Sequence, residues 1–173
     1  MTRMILAAAL ACAATAMPAC AQSTDGPLVE RHASTPPGLI LQGVTVRPGA
    51  TTLYLSGQLA SPVDPAATEA KEASAITIAD YGDTKTQTIS TLEKIAGILE
   101  SHGYAMSDVI KMTAFVAGDP AMGGRMDFAG FNEGFRMFFG TAENANTVAR
   151  STVQVAALAG PNYLVELEVV AVK

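Results

Sequence analysis

The run Val148 to Leu158 sets a polar row, Arg150, Thr152 and Gln154, against Ala149, Ser151, Val153 and Val155 on the other face of an extended strand. Arg150 is the unusual member. Its guanidinium has no acidic partner within the run, and its planar fork suits a carboxylate in a bidentate pair; a structural ion pair or an exposed strand face is the bland alternative. Glu166 and Glu168 share one face of the run Leu164 to Val172 among Val and Leu. Either is a candidate general acid/base, a partner for Arg150, or a solvated acid. Ser56-Gly57-Gln58 ends another run, where glycine lets a ligand or a second backbone approach closely, or simply makes a bulge. Asn132, on the flank of a Phe-rich stretch, is placed to orient a substrate or to cap a neighbouring strand.

Other chemistries find less support. The two histidines, His32 and His102, belong to no ligand-spaced cluster, so no metal site is expected. No GxSxG elbow is present for a Ser-His-Asp hydrolase. Eleven Lys and Arg face sixteen Asp and Glu, giving a net charge of -5 without any basic run, which argues against a nucleic-acid partner. At 173 residues the chain holds one domain or a small pair, and it is long enough to bury a core without disulfide or metal staples.

The elements that must position these residues follow from periodicity. Ile40 to Val46 and Thr51 to Gln58, joined by Arg47-Pro-Gly-Ala50, read as a β-hairpin. Ala60 to Asp83 has no clean period and reads as a long surface excursion with some local structure. From Asp83, apolar residues at Ile89, Leu92, Ala96 and Leu99 predict a helix, with Thr84-x-x-Gln87 as a capping box and Gly103 as its stop. Val109 to Ala117 alternates as a strand, with Ile110, Met112, Ala114 and Val116 on one face. Phe128, Phe131, Phe135 and Phe138 predict a second amphipathic helix with all four rings in the core. Two closing strands, Val148 to Leu158 and Leu164 to Val172, complete an α+β layer architecture with two helices on one sheet face. The other face, partly apolar, is expected to be buried by self-association. If the last two strands form a hairpin, Glu166 lies opposite residue 156, about 20 Å from Arg150. A shared site then needs a subunit interface or a different strand order.

The amino terminus reads as a secretory signal peptide over residues 1–21. Arg3 precedes the apolar run Met4 to Met17, which is too short to span a membrane, and Ala19-Cys-Ala21 offers a small-x-small cleavage site. Lipidation at Cys20 is the competing reading. Cleavage removes both cysteines, Cys12 and Cys20, and with them any disulfide or Cys nucleophile. Residues 22–38, with Pro27, Pro36 and Pro37, read as a flexible arm, leaving residues 39–173 as the folded domain. The expected compartment is the periplasm.

Taken in order, six segments carry a family resemblance: Leu53-Tyr-Leu-Ser-Gly-Gln58, Gln87-Thr with Ile98-Leu-Glu-x-x-Gly103, Asp108-Val-Ile-Lys111, Asp127-Phe-x-x-Phe-Asn132, Ala149-Arg-Ser-Thr-Val-Gln-Val-Ala-Ala-Leu158 and Val165-Glu-Leu-Glu-Val-Val-Ala-Val172. In this order and at these spacings the chain resembles the Rid family of reactive intermediate deaminases, also called YjgF-type proteins. The resemblance implies a chorismate-mutase-like α+β fold, a mixed sheet with two helices on one face, and a homotrimer with clefts between subunits. It implies hydrolysis of enamines and imines bearing a carboxylate to 2-keto acids and ammonia, without a cofactor.

By the same resemblance Arg150 grips the substrate carboxylate, Glu166 is associated with the attacking water, and Ser56, Gly57, Asn132 and Thr152 line the cleft. The chain departs from the family at several positions. Ile40 stands where the family has a Tyr, Val148 where it has a Pro, Thr152 where a Cys is frequent, and Ser61 to Gly82 is longer than the corresponding loop. Two functions are therefore carried forward: an imine deaminase, and a non-catalytic exported trimer that binds small carboxylates or a protein partner.

Overall fold

The computed structural model describes residues 26–173. The signal peptide expected over residues 1–21 lies outside the described residues. Among the described residues six strands and three α-helices follow one another in chain order: β1 (Val29–His32), β2 (Gly43–Val46), β3 (Thr52–Leu59), α1 (Pro65–Glu69), α2 (Thr84–Ser101), β4 (Val109–Ala117), α3 (Phe128–Phe135), β5 (Ala149–Val155) and β6 (Val165–Val172).

Four strands form a mixed sheet in the order β3-β6-β4-β5. β6 runs antiparallel to both β3 and β4, whereas β5 lies parallel to β4, the arrangement a β4-α3-β5 crossover requires. Two expectations are corrected here. Ile40 to Val46 and Thr51 to Gln58 do not form a hairpin: β2 pairs with β1, and β3 pairs with β6. Nor do the last two strands pair with each other, because β4 lies between them. The arm at residues 22–38 is also corrected in part. Val29–His32 is a paired strand, and Arg31 Nη2 donates to the Ser107 carbonyl at 2.7 Å, tying it to the turn before β4. The ordered fold therefore begins before residue 39.

The α2 stripe is buried in part: Leu92 and Leu99 are inaccessible, Ile89 and Ala96 are only half-buried, and Ile95 takes the remaining core place. Its cap is not the one expected. Asp83, rather than Thr84, accepts from the Thr86 amide at 2.8 Å, and Gly103, at φ +76°, takes the left-handed turn that ends the helix region. Thr84 is instead fully buried within the first turn. The excursion after β3 carries α1 and two short 3₁₀ turns, in line with its irregular sequence.

Both long helices lie on one face of the sheet, α2 against β3 and β6, and α3 against α2. The Phe stripe is corrected in detail. Phe131 and Phe135 are fully buried, but Phe128 is 45% exposed and Phe138 only half-buried; Phe139 takes the last core place, stacked on Phe135 at 4.7 Å between ring centres. Truncating Phe131 or Phe135 to Ala should cost about 3–5 kcal/mol. The alternation of β4 holds from Lys111 on: Met112, Ala114 and Val116 point into this core, and Lys111, Thr113 and Phe115 face the other side. Ile110 is corrected, because the β4–β6 register shifts between Val109 and Lys111 and Val109 takes the core place instead. Among the described residues that second face carries no helix. Tyr54, 76% exposed, lies there with Glu166 and Glu168.

Candidate functional site

β5 is the edge strand of the main sheet, and its polar row faces the helices. Register pairs Arg150 with Met112 and Thr152 with Ala114, both core positions, so Arg150 projects toward α3. There its guanidinium lies over Phe135 at 4.4 Å and Phe131 at 4.9 Å from the ring centres, with Phe128 at 5.9 Å. These rings replace part of the hydration that a buried cation loses. Arg150 Nη2 donates to Asn132 Oδ1 at 2.7 Å, which fixes the plane of the fork. Nε and Nη1 are buried without a partner, as is the Thr152 hydroxyl two residues along the same face. A buried donor left unpaired costs about 1–3 kcal/mol, so three such groups in one place make this a candidate site for an acceptor.

Burial, and then the positive charge of Arg136, pushes the Arg150 guanidinium down to about 10. It remains protonated at neutral pH. Gln154, the third member of the row, is structural: its amide accepts from the Met126 amide and donates to the Gly124 carbonyl, both at 2.9 Å, anchoring the segment that leads into α3. Just before β2, the Leu41 amide donates to the Val148 carbonyl at 3.0 Å, so Ile40 and Leu41 run beside the start of β5.

Glu166 belongs to a different place. It pairs in register with Phe115 and with Leu59, on the sheet face that carries no helix. The β3–β6 ladder slips between Leu55 and Gln58, which sets Ser56 and Gly57 opposite the single residue Glu168 as a β-bulge. A Cβ built on Gly57 would overlap the Glu166 carboxylate, so the missing side chain is what admits the acid at the bulge. Ser56 beside it is exposed. Glu166 and Glu168 also line a depression of about 360 Å³ with Phe115 and Val155. Among the described residues no ion pair or side-chain hydrogen bond engages Glu166.

The six candidate residues thus sort into two groups, Arg150, Asn132 and Thr152 on the helix side, and Glu166, Gly57 and Ser56 on the open side. Within one chain the groups do not meet. Arg150 and Glu166 are three residues apart along the ladder and two strands apart across it, about 10 Å each way, with side chains on opposite faces.

One positioning residue escaped sequence reasoning. Gln87 is fully buried, its Nε2 donating to the carbonyls of Gly82 at 3.0 Å and Asn162 at 3.1 Å. Its Oε1 accepts from the Leu164 amide at 2.8 Å, two residues before Glu166. Read as one half of a capping box, it instead pins the loop that starts β6 onto α2. The aromatic bed under Arg150 was equally illegible, because the Phe spacing signals core whether or not a cation lies above it.

Known proteins are similar to this chain in sequence and fold. A profile described as Endoribonuclease L-PSP matches residues 42–173. The 2-iminobutanoate/2-iminopropanoate deaminase of Salmonella typhimurium is 32% identical over 136 residues, covering 79% of this chain and 88% of that protein. A RutC family protein of Pyrococcus horikoshii is 35% identical over 121 residues, covering 70% and 79% respectively. Among solved structures, the YjgF gene product of Escherichia coli is similar with a TM-score of 0.51 at 31% identity, over 83% of this chain and 93% of that one.

Proposed function

The chain belongs to the Endoribonuclease L-PSP family, the Rid or YjgF-type proteins, and from that premise we propose that it hydrolyses 2-imino acids to 2-keto acids and ammonia in a cleft between subunits. The observation that carries this reading is the buried Arg150 fork, held by Asn132 and left with open donors beside the open Thr152 hydroxyl. A substrate carboxylate satisfies those donors with charge-assisted hydrogen bonds. The opposite-face placement of Glu166 supports assembly of the cleft from two copies of the chain, each giving its Arg150 half to one neighbour and its Glu166 half to the other. We take that assembly to be a homotrimer, and the protein to be exported to the periplasm once residues 1–21 are removed.

The chemistry asks little of the protein. An imine carbon is already electrophilic, so positioning and proton transfer suffice, and no cofactor is invoked. Arg150 holds the carboxylate and so places C2 and its C=N bond. Glu166 accepts a proton from water as the water oxygen bonds to C2 and the C=N electron pair moves onto nitrogen, and it passes that proton to the nitrogen to give the carbinolamine. Glu166 then takes the hydroxyl proton as C=O forms and hands it to the nitrogen as the C–N bond breaks, so that the 2-keto acid and ammonia leave and Glu166 is again a carboxylate. For this chain the acidic balance, -5 overall, opposes the phosphate backbone that an endoribonuclease must hold.

Carboxylate binding without turnover is the competing reading, favoured by Ile40 and Thr152 where the family resemblance calls for Tyr and Cys. An amino-acid oxidase that releases imino acids, coupled to keto-acid detection, separates the two. The deaminase reading expects acceleration by the purified protein that disappears in Arg150→Ala. Absence of acceleration across several imino acids, with carboxylate binding intact, would replace it with the binding protein.

A further inference from the structure

Arg136 follows α3 directly, and its amide donates to the Asn132 carbonyl at 3.1 Å, one helical turn on from the residue that holds the Arg150 fork. Side chains four apart on a helix stand about 5–6 Å apart at Cβ, so Arg136 lies on the same flank as Asn132. It is exposed, and among the described residues it joins no ion pair; the acid nearest in sequence, Glu133, is taken by Lys85 at 2.9 Å. The charge of Arg136 is felt at Arg150, where it acts in the same direction as burial. Two arginines thus lie about Asn132, Arg150 by its hydrogen bond and Arg136 by its place one helical turn on. A ligand with one carboxylate neutralises only one of the two.

We infer that the site is built for diacids: Arg150 takes the carboxylate next to the reacting carbon, and Arg136 takes a second carboxylate at the far end of the side chain. The preferred substrates are then four- or five-carbon 2-imino dicarboxylates, the products of oxidising acidic amino acids. The inference rests on the proposed function for the place of the first carboxylate, and not for turnover itself. Arg136 is here a specificity-determining residue, free to reach because it is solvated, while Arg150 remains the buried anchor.

Stable keto acids test this without requiring catalysis. Calorimetric titration of the purified protein with 2-oxoglutarate and with 2-oxobutanoate should give at least tenfold tighter binding of the diacid. In Arg136→Gln, an exposed change that spares the core, the ratio of the two affinities should fall to near one. Equal affinities in the wild type, or a ratio unchanged in the variant, overturns the inference. A diacid preference without turnover of the matching imino acids strikes the deaminase reading alone and leaves this one standing. Binding of neither acid overturns both.

Discussion

Arg150 and Glu166 leave the sheet on opposite faces, Arg150 in register with buried Met112 and Glu166 in register with Phe115 on the side that carries no helix. No rotamer of either side chain brings the two together within one chain. Their roles should therefore separate cleanly. Glu166→Gln should lower kcat by about a hundredfold or more, the usual worth of a general base, while binding of a keto-acid product changes little. Arg150→Gln should abolish that binding. Because burial, and then the charge of Arg136, push the Arg150 guanidinium down to about 10, carboxylate binding should be flat through neutral pH and fall as pH rises through about 10. Titration calorimetry against pH checks the last point, and a fall centred near neutrality would assign the anchor to another group.

Gly57 makes room for the Glu166 carboxylate at the bulge. Gly57→Ala should push the acid aside at small cost to stability, since the atom displaced is the end of a flexible side chain. Steady-state kinetics should then show kcat lowered about tenfold or more with KM nearly unchanged, the split expected when a proton acceptor is misplaced but the carboxylate anchor is intact.

Asn132 accepts from one nitrogen of Arg150 and leaves the others open. Asn132→Asp places a fixed carboxylate where the substrate's should compete. Its pairing with the partly buried guanidinium should raise the melting temperature, while KM rises at least tenfold. A melting temperature that falls, with KM unchanged, would show that Arg150 is already satisfied by another group.

Gln87 closes three backbone hydrogen bonds between α2 and the start of β6. Gln87→Leu keeps the volume and strands those groups in the core, which should cost about 3–5 kcal/mol in chemical denaturation, close to the loss of a whole large side chain. Some loss of kcat should accompany it, because Glu166 lies two residues beyond Leu164.

What the sequence carried, it carried through period and residue type. The α2 stripe, the alternation of β4 and the polar row of β5 are local patterns, and each survives over most of its length because burial of one face is what those patterns encode; the exceptions are Ile89, Ala96 and, at a register shift, Ile110. Pairing is different. Whether β3 meets β2 or β6 depends on contacts more than a hundred residues apart in sequence, which no local period records, and a Pro-Gly turn invited the hairpin that does not form. At the site, Arg150 and Glu166 stood out as polar groups in apolar strands, while Arg136 did not, because an arginine after a helix is commonplace until its neighbour across the fold is known. Phe128 misled for the reverse reason: it keeps the helical spacing but lies beyond the sheet edge, against Arg150 rather than in the core.

Subunit complementation tests the central claim most directly, that each cleft joins Arg150 of one chain to Glu166 of another. Arg150→Gln and Glu166→Gln chains, each inactive alone, are co-expressed or refolded together in equal amounts. Random assembly gives about one cleft in four with both wild-type halves, so about a quarter of wild-type imine hydrolysis should return. Activity no greater than the sum of the two parents, in mixed oligomers verified by differential tags, would contradict the account.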